Sequence, residues 1–195
     1  MKLTKNDLDK VRQIEGFPIA KDDDIIALSQ APNYTACPNP FLKQFIEDKG
    51  TVYSEKEDNY HREPFASDVS EGKSDAVYNI HTYHTKVPPK AIARYILHYT
   101  NPGDVVLDSF CGTGMTGVAG GLVADQNVAL ANGFQLQNKG ECFGARNIIL
   151  NDLSPVASYI ASVYNLKEYN PQKVALEGKK ILDEFDKVFG DMYEV

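Results

Sequence analysis

The chain has 195 residues, 43% of them hydrophobic and 24% charged, and a formal net charge of −7. That length supports one domain with a sizeable core, and no apolar run approaches the ~20 residues that span a bilayer. The acidic balance weighs against a chain that binds a nucleic-acid duplex alone, because phosphates call for a basic surface. Residues Met1-Lys2-Leu3-Thr4-Lys5-Asn6-Asp7 have no signal-peptide core. Cys37, Cys111 and Cys142 fit neither a disulfide framework nor a zinc pattern. The expected compartment is the cytoplasm, with no resident metal.

The first predicted helix runs from Thr4 to Glu15. Thr4 caps it, Asp7 sits in the reciprocal capping position, and Leu8, Val11 and Ile14 make one apolar face. Gly16 and Pro18 end it. Asp22, Asp23 and Asp24 lead a short helix through Ile25 to Leu28, complementing its dipole. Asn39 as cap and Pro40 at the first position predict a third helix, with Phe41, Leu42, Phe45 and Ile46 on one side and Gly50 closing it. Residues 51–80 are mostly polar and aperiodic, which suggests a functional loop or lid.

His81-Thr82-Tyr83-His84-Thr85-Lys86-Val87-Pro88-Pro89-Lys90 then leads into a helix carrying Ile92, Tyr95, Ile96 and Tyr99 at helical spacing. His81 and His84 stand three apart, but no third ligand of matching spacing follows. Asn101-Pro102-Gly103 is a turn. Val105, Val106 and Leu107 form the short apolar run of a parallel strand buried on both faces. Gly112, Gly114 and Gly117 follow at once, so the backbone can turn sharply and expose helix-start N–H groups to a ligand. This is a nucleotide-type site at the end of a parallel strand. The string Gly112-Thr113-Gly114-Met115-Thr116-Gly117 fits G-x-G-x-x-G letter for letter, so the glycines alone leave a dinucleotide open.

Met115 to Ala124 continues as a helix, its glycines allowing close approach to the sheet. Asp125 to Gly144 is a polar insertion expected at the surface. Ile148 to Leu150 is the second strand, and Asp152 lies at its end, 38 residues after Gly114. A carboxylate there can accept hydrogen bonds from both ribose hydroxyls of an adenosine, or can simply cap the helix that begins at Ser154-Pro155. That helix carries Ala157, Ile160, Ala161 and Tyr164. A last helix starts at Asn170-Pro171 with Val174, Ile181, Leu182, Phe185 and Val188 on its apolar side.

Asp108, Phe110, Gly112 and Gly114 resemble D-x-F-x-G-x-G, motif I of the S-adenosylmethionine-dependent DNA amino-methyltransferases, which methylate adenine N6 or cytosine N4. His81 to Lys90 is similar to their motif X, with Lys86 and Pro88 matching its lysine and proline one residue out of place. Asn151-Asp152-Leu153-Ser154-Pro155, Tyr34 to Phe41 and Glu63 to Lys73 resemble one group of large DNA methylases. The resemblance implies an α/β, Rossmann-like but incomplete methyltransferase fold. Residues 1–80 would be a helical and loop extension and 81–195 the S-adenosylmethionine-binding part. It implies cofactor contacts from Tyr83, Thr85, Lys86, Asp108, Phe110, Cys111, Gly112, Thr113, Gly114, Thr116 and Asp152. Lys86 would take the carboxylate of the methyl donor and Asp152 its ribose. The adjacency of the lysine-bearing turn and the glycine turn favours a zwitterionic amino-acid ligand over a dinucleotide, because its carboxylate needs a cation.

No [DNS]-P-P-[YFW] loop, the family's catalytic element for a flipped base, occurs in the sequence. No catalytic residue is therefore expected. The expectation is the N-terminal, cofactor-binding piece of a site-specific enzyme of restriction-modification type, with adenine N6 the preferred target. DNA would be held by the missing part or by a partner polypeptide that completes the fold, and a homo-oligomer is an open possibility. A non-catalytic cofactor-binding subunit of a split methyltransferase and a dinucleotide-dependent oxidoreductase are the alternatives.

Overall fold

The computed structural model describes residues 2–67, 75–166 and 169–192. By contacts the chain forms two compact units, Met1–Asn165 and Leu166–Val195.

Helix α1 spans Lys5–Val11. The Thr4 hydroxyl accepts the Asp7 N–H, and the Asp7 carboxylate accepts the Thr4 N–H at 3.2 Å, a capping box. The helix stops one turn before Glu15. Arg12, just beyond it, is held by Asp9 and Asp22 and lies over the Phe17 ring, so the chain turns there toward α2, Asp22–Leu28. Leu3, Leu8 and Ile25 are buried together as a small core beside Phe17 and Phe41. Helix α3, Leu42–Lys49, begins two residues past Pro40. The Asn39 side chain accepts the Phe41 N–H at 2.9 Å, a local turn that uses up the expected cap. Gly50 closes α3 in an extended conformation rather than the left-handed one.

Helix α4, Ala76–Asn79, is capped by Asp75, and α5, Pro89–Tyr99, starts on a proline that gives up no hydrogen bond. Strand β1, Val105–Asp108, leads to α6, Met115–Ala124, then α7, Gln126–Ala131, and strand β2, Asn147–Leu150. Helix α8 is Pro155–Tyr164, with Ser154 accepting the Ala157 N–H, and α9 is Pro171–Phe189. No described helix is long and apolar enough to cross a membrane.

The larger core joins Ala93, Ile96 and Leu97 of α5 to Ala119 and Val123 of α6, Ala129 of α7, and Phe134. The α5 face is rotated from the one the spacing predicts: Tyr95 and Tyr99 face outward and meet the polar loop instead. Phe65 packs on the Tyr95 ring, and its N–H donates to the Tyr99 hydroxyl at 2.7 Å. The insertion 125–144 lies mostly at the surface, as expected, but it is anchored in the core. Asp125 caps α7, and Phe134 is 1% exposed, because the apolar residues hidden among its polar ones close the core over α6.

Strands β1 and β2 pair in parallel, Val105 opposite Asn147 through Asp108 opposite Leu150. Gly120 lets α6 sit close on β2: a Cβ there would lie 2.9 Å from the Ile148 side chain. The expectation of a strand covered on both faces fails. No residue of either strand is fully buried and Leu107 is 63% exposed, although α6 packs on β2 at Gly120.

Candidate functional site

Two glycines set the shape of the turn after β1. Gly112 and Gly114 have φ of +52° and +83°, in the left-handed region. Space alone would also exclude a side chain. A Cβ on Gly112 would lie 2.9 Å from the Tyr83 ring, and one on Gly114 would lie 2.7 Å from the Ala161 Cβ.

The turn is tied to the end of β2. The Cys111 N–H donates to the Asn151 carbonyl at 2.9 Å, and the Gly112 N–H donates to the Asp152 carboxylate at 2.8 Å. The other Asp152 oxygen accepts the Ser154 N–H at 2.9 Å. Asp152 is thus both a clamp on the glycine turn and a support for the start of α8. It keeps spare lone pairs, since a carboxylate offers about four acceptor positions. Asp108 spans the turn from the other side, accepting the Phe110 N–H at 3.1 Å and the Thr116 hydroxyl.

Asp108, Phe110, Cys111, Gly112, Thr113 and Thr116 form one wall of a crevice of about 80 Å³, and Tyr83, Thr85 and Lys86 form the facing wall. Gly114 and Asp152 do not line the crevice; Asp152 is joined to it through the Gly112 N–H. The crevice is far below the ~300 Å³ at which a pocket encloses a ligand of nucleoside size. It can grip one end of such a molecule. Thr113 is 1% exposed and its hydroxyl has no hydrogen-bond partner. No side chain caps α6, whose first turn opens on this wall. An unmet buried hydroxyl beside an uncapped helix start suits an anionic group. Burial, with Asp108 and Asp152 adding to it, pushes the Cys111 thiol up to about 12. A raised thiol pKa disfavours the thiolate, the reactive form of cysteine. Phe110 is 90% exposed at the rim.

Lys86 lines the crevice, but its charge does not point into it. Its ammonium donates to the carbonyls of Tyr78 and His81 and lies over the Tyr78 ring at 4.5 Å. Burial pushes its pKa down. The Tyr78 hydroxyl returns a bond to the Lys86 carbonyl at 3.2 Å. Lys86 therefore locks the 78–86 bend that carries Tyr83 onto Gly112. His81 Nδ1 meets the Tyr164 hydroxyl at 2.8 Å, while His84 is exposed. Among the described residues no three His, Cys, Asp or Glu side chains gather as a metal site.

Sequence reasoning missed Tyr78, Tyr164 and Asn165. The Asn165 amide donates to the Gly114 carbonyl at 3.1 Å, and its side chain fills the space beside Gly117. Nothing in the sequence distinguishes Asn165 from an ordinary residue at a helix end.

A family model described as DNA methylase, N6_N4 type, matches residues 10–126, more than half of the chain. The chain belongs to the N6/N4 DNA methylase family. No curated protein and no solved structure matched it. The matched span of this DNA methylase includes the 81–90 bend and the whole glycine turn. It ends before β2, so Asp152 is joined to the site by the hydrogen bond to Gly112 and not by the match.

Proposed function

We propose that this DNA methylase chain is the S-adenosylmethionine-binding portion of a site-specific DNA amino-methyltransferase, with a partial Rossmann-like fold and adenine N6 the preferred target. The observation that carries the reading is the 2.8 Å bond from the Gly112 N–H to Asp152. It joins the glycine turn to the acid after the second strand, at the carboxyl ends of two parallel strands, where nucleotide-type ligands bind.

The residues suit the cofactor at its amino-acid and ribose ends. The carboxylate of the methyl donor meets the Thr113 hydroxyl and the uncapped start of α6. The spare acceptor positions of Asp152 take the ribose hydroxyls. Tyr83, Thr85, Phe110 and Cys111 line the sides, and Asp108 and Thr116 brace the turn. Lys86 acts through the bend it holds rather than as the counter-ion. Bound S-adenosylmethionine supplies a methyl group activated by its sulfonium. The chain's own part is to orient that group, which is where such a reaction gains most of its rate.

The sequence holds no proline-proline-aromatic loop, so the base-facing chemistry belongs to polypeptide outside these 195 residues. The net charge of −7 fits that division of labour. So does a two-stranded parallel sheet on which Leu107 is largely exposed, since parallel sheets are ordinarily larger and covered on both sides. A split, restriction-modification type enzyme acting in the cytoplasm is the setting this implies.

Calorimetric titration separates this reading from a dinucleotide site. S-adenosylhomocysteine should bind, with Asp152→Asn weakening it at least several-fold, and NAD should give no heat. Tight NAD binding with none for S-adenosylhomocysteine would overturn the assignment.

A further inference from the structure

Two neighbouring residues at the end of α8 are tied to opposite walls of the crevice. Successive residues on a helix point about 100° apart, so adjacent side chains can serve different walls. Tyr164 is tied to the bend. Its hydroxyl meets His81 Nδ1 at 2.8 Å and donates to the Val77 carbonyl at 3.4 Å, and its ring lies 5.3 Å from the imidazole. His81 Nε2 is buried with no partner, so among the described residues the Tyr164 hydroxyl is the polar group that holds this imidazole. Burial and the Lys86 charge keep the His81 pKa below its ordinary value, and burial pushes the Tyr164 hydroxyl up. The tie is therefore a hydrogen bond between two neutral groups at neutral pH.

Asn165 is tied to the glycine turn. Its amide donates to the Gly114 carbonyl at 3.1 Å and to the Ala161 carbonyl at 2.8 Å. The first bond crosses to the turn, and the second fixes the amide on its own helix. The fit is close, because a Cβ on Gly117 would collide with the Asn165 Oδ1. The start of α8 holds the same turn through Asp152, which accepts from both Gly112 and Ser154. Helix α8 is thus fixed to the glycine wall at both its ends and to the bend at its last turn. The two walls themselves meet where the Tyr83 ring lies against Gly112.

We propose that Tyr164 and Asn165 are positioning residues that set the separation of the crevice walls, and with it the grip on the amino-acid end of the methyl donor. That grip rests on the S-adenosylmethionine assignment, whereas the spacing of the walls does not. Neither side chain lines the crevice. Each acts through the group it holds, His81 on the bend and Gly114 in the turn.

The test uses the whole chain and two variants. Tyr164→Phe removes one hydroxyl and keeps the ring, and Asn165→Asp replaces the amide donor with an acceptor opposite the Gly114 carbonyl. Nuclear magnetic resonance of the ligand-free chain reads the walls. The Tyr83 ring displaces the Gly112 α-proton signals from their ordinary position, and both variants should carry them most of the way back, with the Ala93 and Ala119 methyl signals of the core unmoved. Calorimetry reads the grip. S-adenosylhomocysteine should bind each variant roughly five-fold more weakly, the scale of one lost hydrogen bond. Methylthioadenosine, which lacks the amino-acid end, should bind the variants as it binds the unaltered chain, whereas a merely loosened fold would weaken both ligands alike. Gly112 signals that stay in place in both variants, or equal weakening of the two ligands, would overturn the proposal. Displaced Gly112 signals in a chain that binds neither ligand would uphold the spacing role and overturn the S-adenosylmethionine assignment instead.

Discussion

Gly114 has a backbone at φ +83° and a neighbour, Ala161, where its side chain would be. The Gly114→Ala variant should lose about 1–2 kcal/mol from the left-handed conformation alone, and more from the clash. Thermal unfolding of the variant beside the unaltered chain reads this directly, and an unchanged midpoint would mean that the turn is not built as described. The same residue-level view separates two acidic groups that the sequence treats alike. Asp152 is committed to the Gly112 and Ser154 N–H groups, whereas Asp108 braces Phe110 and Thr116. Neither partnership can be read from the spacing of the motifs. Lys86 makes the point most plainly: its position in the sequence suggests a counter-ion, but two carbonyls of the preceding bend satisfy its ammonium.

At the scale of elements, the described part of the polar stretch that the sequence suggests as a functional loop or lid is fastened to its neighbours. The Tyr60 hydroxyl donates to the Tyr99 carbonyl at 2.9 Å, and Arg62 donates to the carbonyls of Lys139 and Gly140. His98 Nε2 donates to the Glu63 carbonyl at 2.7 Å, since a carbonyl can only accept. Asn138 then bridges His98 and Glu141. Of the stretch 63–73, residues 68–73 lie outside the described residues. Burial alone would push the Glu141 pKa up, but bonds from the Asn138 side chain and the Gln137 N–H outweigh it and hold it below its ordinary 4.5. The lowered value means that the folded state favours the charged form. Its stabilising effect is present above the ordinary carboxylate range and is lost as pH falls through the native value. Glu141→Gln should therefore destabilise the chain by about 1.5–3 kcal/mol at neutral pH, with the difference shrinking below pH 4.5. Urea unfolding of both proteins at neutral and acid pH checks this, and a gap independent of pH would contradict the network.

For the whole molecule, charge and sheet architecture agree. A net charge of −7 disfavours binding to a duplex, which draws its affinity from basic groups that release counterions. In a gel-shift assay at physiological salt, the chain alone should leave duplex DNA unretarded, with or without S-adenosylhomocysteine. Retardation that weakens steeply with salt would show a DNA-binding face that the composition does not suggest. The two-stranded sheet is likewise small for a parallel one. Leu107 on β1 is 63% exposed, unlike the apolar residues of a large parallel sheet.

The local order of the chain was written in the sequence. Thr4 with Asp7, Pro89 and Ser154 with Pro155 mark helix starts by chemistry that needs no distant partner, and Val105 to Leu107 running into the glycines marks the strand and its turn. What depended on partners far along the chain was decided only by tertiary packing. That packing rotated the α5 face, drew Phe134 into the core, left Leu107 exposed, turned Lys86 onto its own bend and brought Asp152 to Gly112. Backbone preferences act over a few residues, whereas the environment of a side chain is set by whichever segments fold against it.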